Sequence, residues 1–287
     1  MIFIMAETKK GMLFICGTPI GNLEDISIRQ LKTLRLVDFI ACEDTRHTLK
    51  LLNRYRIKAA LISFHEHNYK RKTEEIIKLL IEGKNIALVS DAGMPLISDP
   101  GEGIVGACKA AGIACTTVPG PTALISGLIL SGIKGGGFVF GGFFPKDNRG
   151  QKEEIRRLKG ESRTAVYYEA PHRLRKTLSF LEKNLGGERR AAVVREITKV
   201  YEESRYDTLS GLKVYYEENE PRGEIVLVIE GAVCPEGIAG TEYNDISLEE
   251  HMGIYREKGL DNKEAMKQVA KDRGVSKRDV YAALQKR

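Results

Sequence analysis

Short runs of consecutive apolar residues alternate along the chain with longer stretches in which apolar positions recur every three or four residues. The runs Met12–Cys16, Phe39–Cys42, Ala60–Ser63, Ile86–Ser90 and Ala114–Val118 predict strands. Between them, Ile28–Leu36, Thr73–Ile81 and Ile104–Ala111 carry helical spacing. Strands that are apolar without alternation are buried on both faces, and strands separated by helices connect in parallel. A mainly parallel α/β sheet is therefore expected. A second series follows, with strands over Phe138–Phe144, Thr164–Tyr168, Arg190–Val194 and Glu224–Ile229 and helices near Lys152–Leu158 and Leu174–Lys183. The apolar segment Pro119–Lys134, closed by Gly135-Gly136-Gly137, reads as a helix and hinge. The fold class expected is α/β: two α/β lobes, residues 11–125 and 126–230, with a ligand cleft between them.

Beyond Ile229 the pattern changes. Residues 231–246 are rich in Gly, Ala, Pro and Glu and read as a linker. Residues 245–287 read as a small all-helical tail, with an apolar stripe of Ala265, Val269, Ala270, Val275, Val280, Ala283 and Leu284. Gly274-Val275-Ser276 separates two short helices, and Ser276 suits an N-cap, so a helix-turn-helix is expected there.

Composition narrows this picture. A length of 287 residues suits two domains and an appendage, and 42% apolar with 29% charged residues excludes a disordered chain, a collagen and a coiled coil. No apolar run reaches the ~18 residues of a membrane span, and the N-terminus lacks the pattern of a signal peptide, so no membrane partner is expected. The five cysteines, Cys16, Cys42, Cys108, Cys115 and Cys234, form no C-x-x-C pair and read as reduced, buried thiols of a cytoplasmic protein. The net charge of +6 permits a nucleic-acid partner. It is unevenly placed: residues 258–287 hold nine basic and four acidic side chains, and residues 231–257 hold one and six.

Chemistry concentrates at strand ends, where open α/β sheets bind ligands. The first strand runs into Gly17-Thr18-Pro19-Ile20-Gly21-Asn22, which is neither G-x-G-x-x-G nor a Walker A loop. Pro19 also removes a backbone donor that a phosphate cradle would need. In Ser90-Asp91-Ala92-Gly93-Met94-Pro95-Leu96-Ile97-Ser98-Asp99-Pro100-Gly101, Ser98 or Asp99 suits the cap of the next helix. Asp91 has no such local task, and its carboxylate can accept from a ribose or an amino group. Pro119-Gly120-Pro121-Thr122-Ala123 closes a third strand, with Pro121 suited to the first helical turn.

GTPIGNLEDIS, CEDTRHT, ALVSDAGMPLISDPG, VPGPTALISGL, YYEAPHRL and REITKVYEE, in this order over residues 11–230, resemble the tetrapyrrole methylase superfamily, and within it the branch that methylates small-subunit ribosomal RNA. The resemblance implies two lobes that bind S-adenosyl-L-methionine in their cleft, a homodimer, and 2′-O-methylation of a cytidine in 16S rRNA at the decoding region of the small ribosomal subunit. It implies cofactor contacts from Pro19, Asp91, Gly93, Met94, Ile97, Thr122 and Ala123, and from Tyr168, Glu169 and Gly223 of the second lobe.

A ribose hydroxyl must lose its proton as it attacks, so a nearby carboxylate or amine is sought as base. Glu43 and Asp44 end a strand at the expected cleft, Arg46 can hold a phosphate or ribose, and Lys199 can act as phosphate ligand or base. Read blandly, Glu43, Asp44 and Arg46 form ion pairs at a helix start. His65 and His67 would share one face of a strand, but no third ligand has supporting spacing, so no metal is expected. His65 and Asn68 are RNA candidates or members of a polar loop, and Phe64 is a stacking or a core residue. Lys146, Arg149 and Arg173 are further RNA candidates, as are Lys277 and Arg278 in the tail. Three readings stay open: an rRNA 2′-O-methyltransferase, a methylase of a tetrapyrrole or other small molecule, and a DNA-binding metabolite sensor.

Overall fold

The computed structural model describes residues 10–232, apart from 100 and 102, and residues 246–285, apart from 274 and 276. The expected linker lies mostly outside these residues, as do Cys234, Pro100 and the proposed cap Ser276. The chain divides into two compact units, Met1–Gly231 and Ala232–Arg287.

In the first unit, β1 (Met12–Cys16), β2 (Phe39–Cys42), β3 (Ala60–Ser63), β4 (Ile86–Val89) and β5 (Ala114–Val118) form an all-parallel sheet in the order β3-β2-β4-β1-β5. The unbroken apolar runs serve both faces. Leu13 and Ile15 pack with α3 (Tyr69–Ile81) and α4 (Ile104–Ala110), while Cys16 packs with α1 (Ile28–Leu36) and α2 (Thr45–Arg54). α1 begins at a capping box: the Ser27 hydroxyl accepts from Gln30 N and the Gln30 side chain from Ser27 N.

The second sheet departs from the parallel expectation. β6 (Phe138–Phe143), β7 (Thr164–Glu169), β8 (Arg190–Arg195), β9 (Glu203–Thr208) and β10 (Ile225–Ile229) lie in the order β6-β7-β10-β8-β9, and only β6 and β7 run parallel. β8 returns directly as the antiparallel edge strand β9, and β10 inserts antiparallel between β7 and β8. β9, Glu-Ser-Arg-Tyr-Asp-Thr, has no apolar run because it covers an edge, which is why its pattern is silent. One face of this sheet packs on α6 (Asn148–Gly160), α7 (Pro171–Leu185) and α8 (Leu209–Glu218). The other face packs on α5 (Ala123–Leu130) and on Ile20 of the first lobe. The expected boundary at residues 125–126 falls inside α5.

The second unit holds α9 (Leu248–Glu257), α10 (Asn262–Asp272) and α11 (Lys277–Leu284) around Met252, Ala265, Val269, Ala270 and Val280. Val275 and Ala283, expected on the apolar stripe, are exposed. His251 is buried between Asp272, 3.2 Å from its Nε2, and Arg273, whose Nε donates to Nδ1 at 3.1 Å. Burial and the Arg273 charge hold its pKa below the usual histidine range. Among the described residues no helix is long and apolar enough to cross a membrane.

Candidate functional site

The sheet order sets β4, β1 and β5 side by side, so their C-terminal loops meet. Thr18 N donates to Gly93 O at 2.9 Å and Gly93 N returns to Thr18 O at 3.1 Å. Gly17 and Gly120 approach so closely that a Cβ on Gly17 would lie 2.8 Å from the Gly120 Cα, so neither loop tolerates a side chain at this contact. Gly93 takes φ +86°, a conformation that glycine adopts without strain.

The Asp91–Asp99 loop and the start of α5, Thr122–Ile125, wall a cavity of about 970 Å³ that the second lobe closes with Phe143, Tyr168, Glu169 and Gly223. That volume lies at the top of the range for small-molecule sites. Of the cofactor candidates, Asp91, Gly93, Met94, Ile97, Thr122, Ala123, Tyr168, Glu169 and Gly223 line it, and Pro19 does not. Pro19 stands beside Thr18, whose backbone is taken up by the bridge to Gly93. Asp91 Oδ1 accepts from Asp44 N at 3.1 Å, so this carboxylate also ties the ends of β2 and β4 together. The Thr122 hydroxyl caps α5 by accepting from Ile125 N, which leaves Pro121 just ahead of the cap rather than in the first turn. The Glu169 carboxylate is wholly buried against the start of α7, where Ala170 N and the Thr177 hydroxyl donate to it and Arg173 Nη1 lies 3.2 Å away.

The catalytic candidates separate in space. Glu43 lines the cavity, and burial, then the Asp91 charge, pushes its pKa above the usual carboxylate range. Asp44 caps α2 by accepting from Arg46 N, and its Oδ2 pairs with Arg46 Nη2 at 2.8 Å. The Arg46 side chain is 87% exposed and lies outside the cavity wall. This pair takes the helix-start arrangement. Lys199 also lies off the wall, with Nζ 2.8 Å from Glu196 Oε1 and 3.0 Å from Glu224 Oε2. Burial lowers its pKa, but the bonds to both carboxylates outweigh that and hold it above the ordinary lysine value, so it is no free base near neutrality.

Asp99 is the carboxylate that motif reading sets aside. It does not cap α4, whose N-cap is Gly103 with no side-chain bond. It lines the cavity instead, and burial, then the charges of Glu43 and Asp91, pushes its pKa up to about 6. Its signal in the sequence is a second Asp in the same strand-end loop as Asp91. Among the described residues no group of three or more His, Cys, Asp or Glu could hold a metal ion.

The RNA candidates lie on several elements. His65 and Asn68 sit in the turn after β3 rather than on a strand, where Asn68 Oδ1 accepts from His65 N at 2.9 Å and Asn68 Nδ2 donates to Ser63 O. Phe64 is a core residue. Arg173 is largely buried, and its Nη2 donates to Phe144 O and Pro145 O, which ties α7 to the end of β6 instead of leaving a free phosphate ligand. Lys146 and Arg149 are exposed beside the α6 cap Asp147, and Lys277 and Arg278 are exposed on α11.

Comparison with known proteins places this geometry. Residues 12–213 match the family described as Tetrapyrrole (Corrin/Porphyrin) Methylases. Proteins named Ribosomal RNA small subunit methyltransferase I are 44% identical in Synechocystis over 94% of this chain and 96% of theirs, and 45% identical in Bacillus subtilis over 96% and 95%. The protein of that name from Thermotoga maritima is 48% identical over 77% of this chain and 99% of its own. Among solved structures, diphthine synthase has a TM-score of 0.61 at 13% identity, over 76% of this chain and 89% of its own. Uroporphyrin-III-C-methyltransferase from Thermus thermophilus has a TM-score of 0.55 at 20% identity, over 77% and 94%. These two establish the fold alone. The chain thus belongs to the tetrapyrrole methylase family, whose members draw their methyl group from S-adenosylmethionine, and within it to the ribosomal RNA small subunit methyltransferase I group.

Proposed function

We propose that the protein transfers the methyl group of S-adenosylmethionine to the 2′-hydroxyl of a cytidine ribose in 16S rRNA, at the decoding region of the small ribosomal subunit. The observation that carries this reading is the match to rRNA methyltransferases over more than nine-tenths of both chains.

The cavity wall fits the cofactor's chemistry. Carboxylates at Glu43 and Asp91 suit a cation, its amino group and its ribose, the left-handed Gly93 presents backbone without a side chain, and Met94, Ile97 and Ala123 supply apolar surface. When bound, the sulfonium supplies a methyl group already activated for transfer. The residues then have two tasks. Asp91, Gly93, Thr122 and Ala123 would hold the donor and fix its orientation toward the acceptor, and alignment of this kind supplies much of the rate. Glu43 or Asp99 would take the proton that the acceptor hydroxyl gives up on methylation. A pKa of about 6 suits Asp99 to accept a proton near neutrality, and the Glu43 pKa is displaced in the same direction by burial and the Asp91 charge. Lys146 and Arg149, and Lys277 and Arg278 of the helical unit, are exposed and would pair with RNA phosphates. The family resemblance further implies a homodimer, which light scattering would show as twice the chain mass.

Purified protein incubated with methyl-labelled S-adenosylmethionine and 30S subunits, free 16S rRNA or uroporphyrinogen tests the reading. Label is expected in ribosomal RNA, and nuclease digestion should release it as one ribose-methylated cytidine. Label on the porphyrin and not on RNA would overturn it.

A further inference from the structure

Phe143 is a large apolar side chain of the cavity wall that stands 53% exposed, whereas its neighbour Phe144 is fully buried. A regular strand would reverse the two. Phe140 pairs with Val166, so an unbroken register would set residue 142 opposite Tyr168 and turn Phe143 toward the core beneath α6, α7 and α8. Instead β6 carries one extra residue, and Phe143 pairs with Tyr168. Gly142 takes φ +68° within this bulge, and Gly141 leaves room for the Tyr167 ring, which a Cβ would approach to 2.2 Å. The bulge therefore moves Phe143 onto the cavity face and Phe144 into the core, where it packs edge-on against Tyr167 at 5.4 Å.

Turning a phenyl ring toward water contributes nothing to folding, whereas bulges beside active sites characteristically re-aim a side chain. The ring is held in place: it packs edge-on against Tyr168 at 5.5 Å, and Tyr168 against Phe140 at 5.1 Å. The loop that carries Ile97 and Asp99 adjoins the bulge, where a Cβ on Gly142 would lie 3.7 Å from the Ser98 hydroxyl, and both line the same cavity as Phe143. Just downstream, the chain emerges with Lys146 and Arg149, both exposed. A half-exposed aromatic ring on the same cavity wall as the half-buried Asp99, with exposed cations just downstream, matches a nucleotide: a planar base, a ribose hydroxyl and a phosphate backbone.

We infer that Phe143 is the stacking platform of an acceptor-nucleoside subsite, on which the splayed target base of a single-stranded RNA lies while its backbone passes Lys146 and Arg149. The inference rests on the rRNA methyltransferase reading and adds to it the wall on which the acceptor sits. Phe143 is a positioning residue, since a phenyl ring takes no part in bond making.

The test compares wild type, Phe143→Leu and Phe143→Trp on whichever ribosomal substrate the wild type labels, together with calorimetric binding of S-adenosylmethionine. Phe143→Leu should lower kcat/KM for the RNA by roughly 10- to 100-fold, chiefly through KM, the size of one lost base stack. Cofactor affinity should stay within about twofold, which also shows the site to be folded, and Phe143→Trp should restore most of the RNA kinetics because it restores the stacking face. Unchanged RNA kinetics in Phe143→Leu would overturn the subsite, as would a parallel loss of cofactor affinity or a Trp variant no better than the Leu variant. A wild type that labels no RNA would refute the parent reading before any variant is measured, and the subsite would fall with it.

Discussion

Asp91 performs two tasks with one carboxylate: it accepts the Asp44 N–H at 3.1 Å and faces the cavity. Asp91→Ala should abolish S-adenosylmethionine binding in calorimetry, and unchanged affinity would remove Asp91 from the site. Asp99 makes a prediction in pH. Its native pKa of about 6 lies above the ordinary value of 3.8, so the folded state holds its proton more tightly than the unfolded chain does. That contribution to stability is complete below pH 3.8 and lost as pH rises through about 6. Asp99→Asn should therefore raise the melting temperature relative to wild type at pH 8 and change it less at pH 4. If Asp99 accepts the ribose proton, single-turnover methylation should rise through about pH 6 in wild type, and the inflection should vanish in Asp99→Asn. At this scale the position of Asp91 on the cavity wall is legible in the sequence, because the residue directly follows a buried strand at the edge where the loops of β4, β1 and β5 meet. Asp44 and Arg46 were legible only as alternatives, because residue types two apart do not reveal that the side chains satisfy one another.

Elements are legible in the sequence wherever one segment carries its own pattern. β1, β2, β3 and β5 begin and end where their apolar runs do, and α1 starts at its cap. β9 has no apolar run because an edge strand takes its order from its neighbour. The hinge segment resolves into α5, whose Gly127 lets the helix lie against β10: a Cβ there would meet the Val226 side chain at 2.7–3.0 Å. Gly127→Ala gains helix propensity but overpacks this contact, and the net loss should be about 1–2 kcal/mol in urea unfolding. The same change in a Val226→Ala background should cost measurably less, and an equal cost would show that the contact is not the cause.

At the scale of the whole molecule, charge and length divide the labour. Residues 258–287 carry a local basic excess of nine against four, but within the helical unit the acidic stretch before them offsets it, and the net charge of +6 lies in the unit that holds the cavity. The Thermotoga maritima relative is matched over 99% of its length by 221 residues of this chain, close to the extent of the first unit. Deleting residues 245–287 should accordingly leave cofactor affinity and kcat near wild type while raising KM for the RNA, with a weaker salt dependence as phosphate contacts are lost. Full RNA affinity without the tail would make it a packing element. The sequence by itself determined the two α/β lobes, the helical tail, the strand-end loops and the family, because each rests on local periodicity or on residues adjacent in the chain. Tertiary structure alone decided that β10 runs antiparallel, that Asp99 faces the cavity rather than a helix start, that Arg173 ties α7 to β6, and that a one-residue bulge turns Phe143 outward. Strand direction, burial and register are set by contacts between segments distant in sequence, and no single segment's pattern contains them.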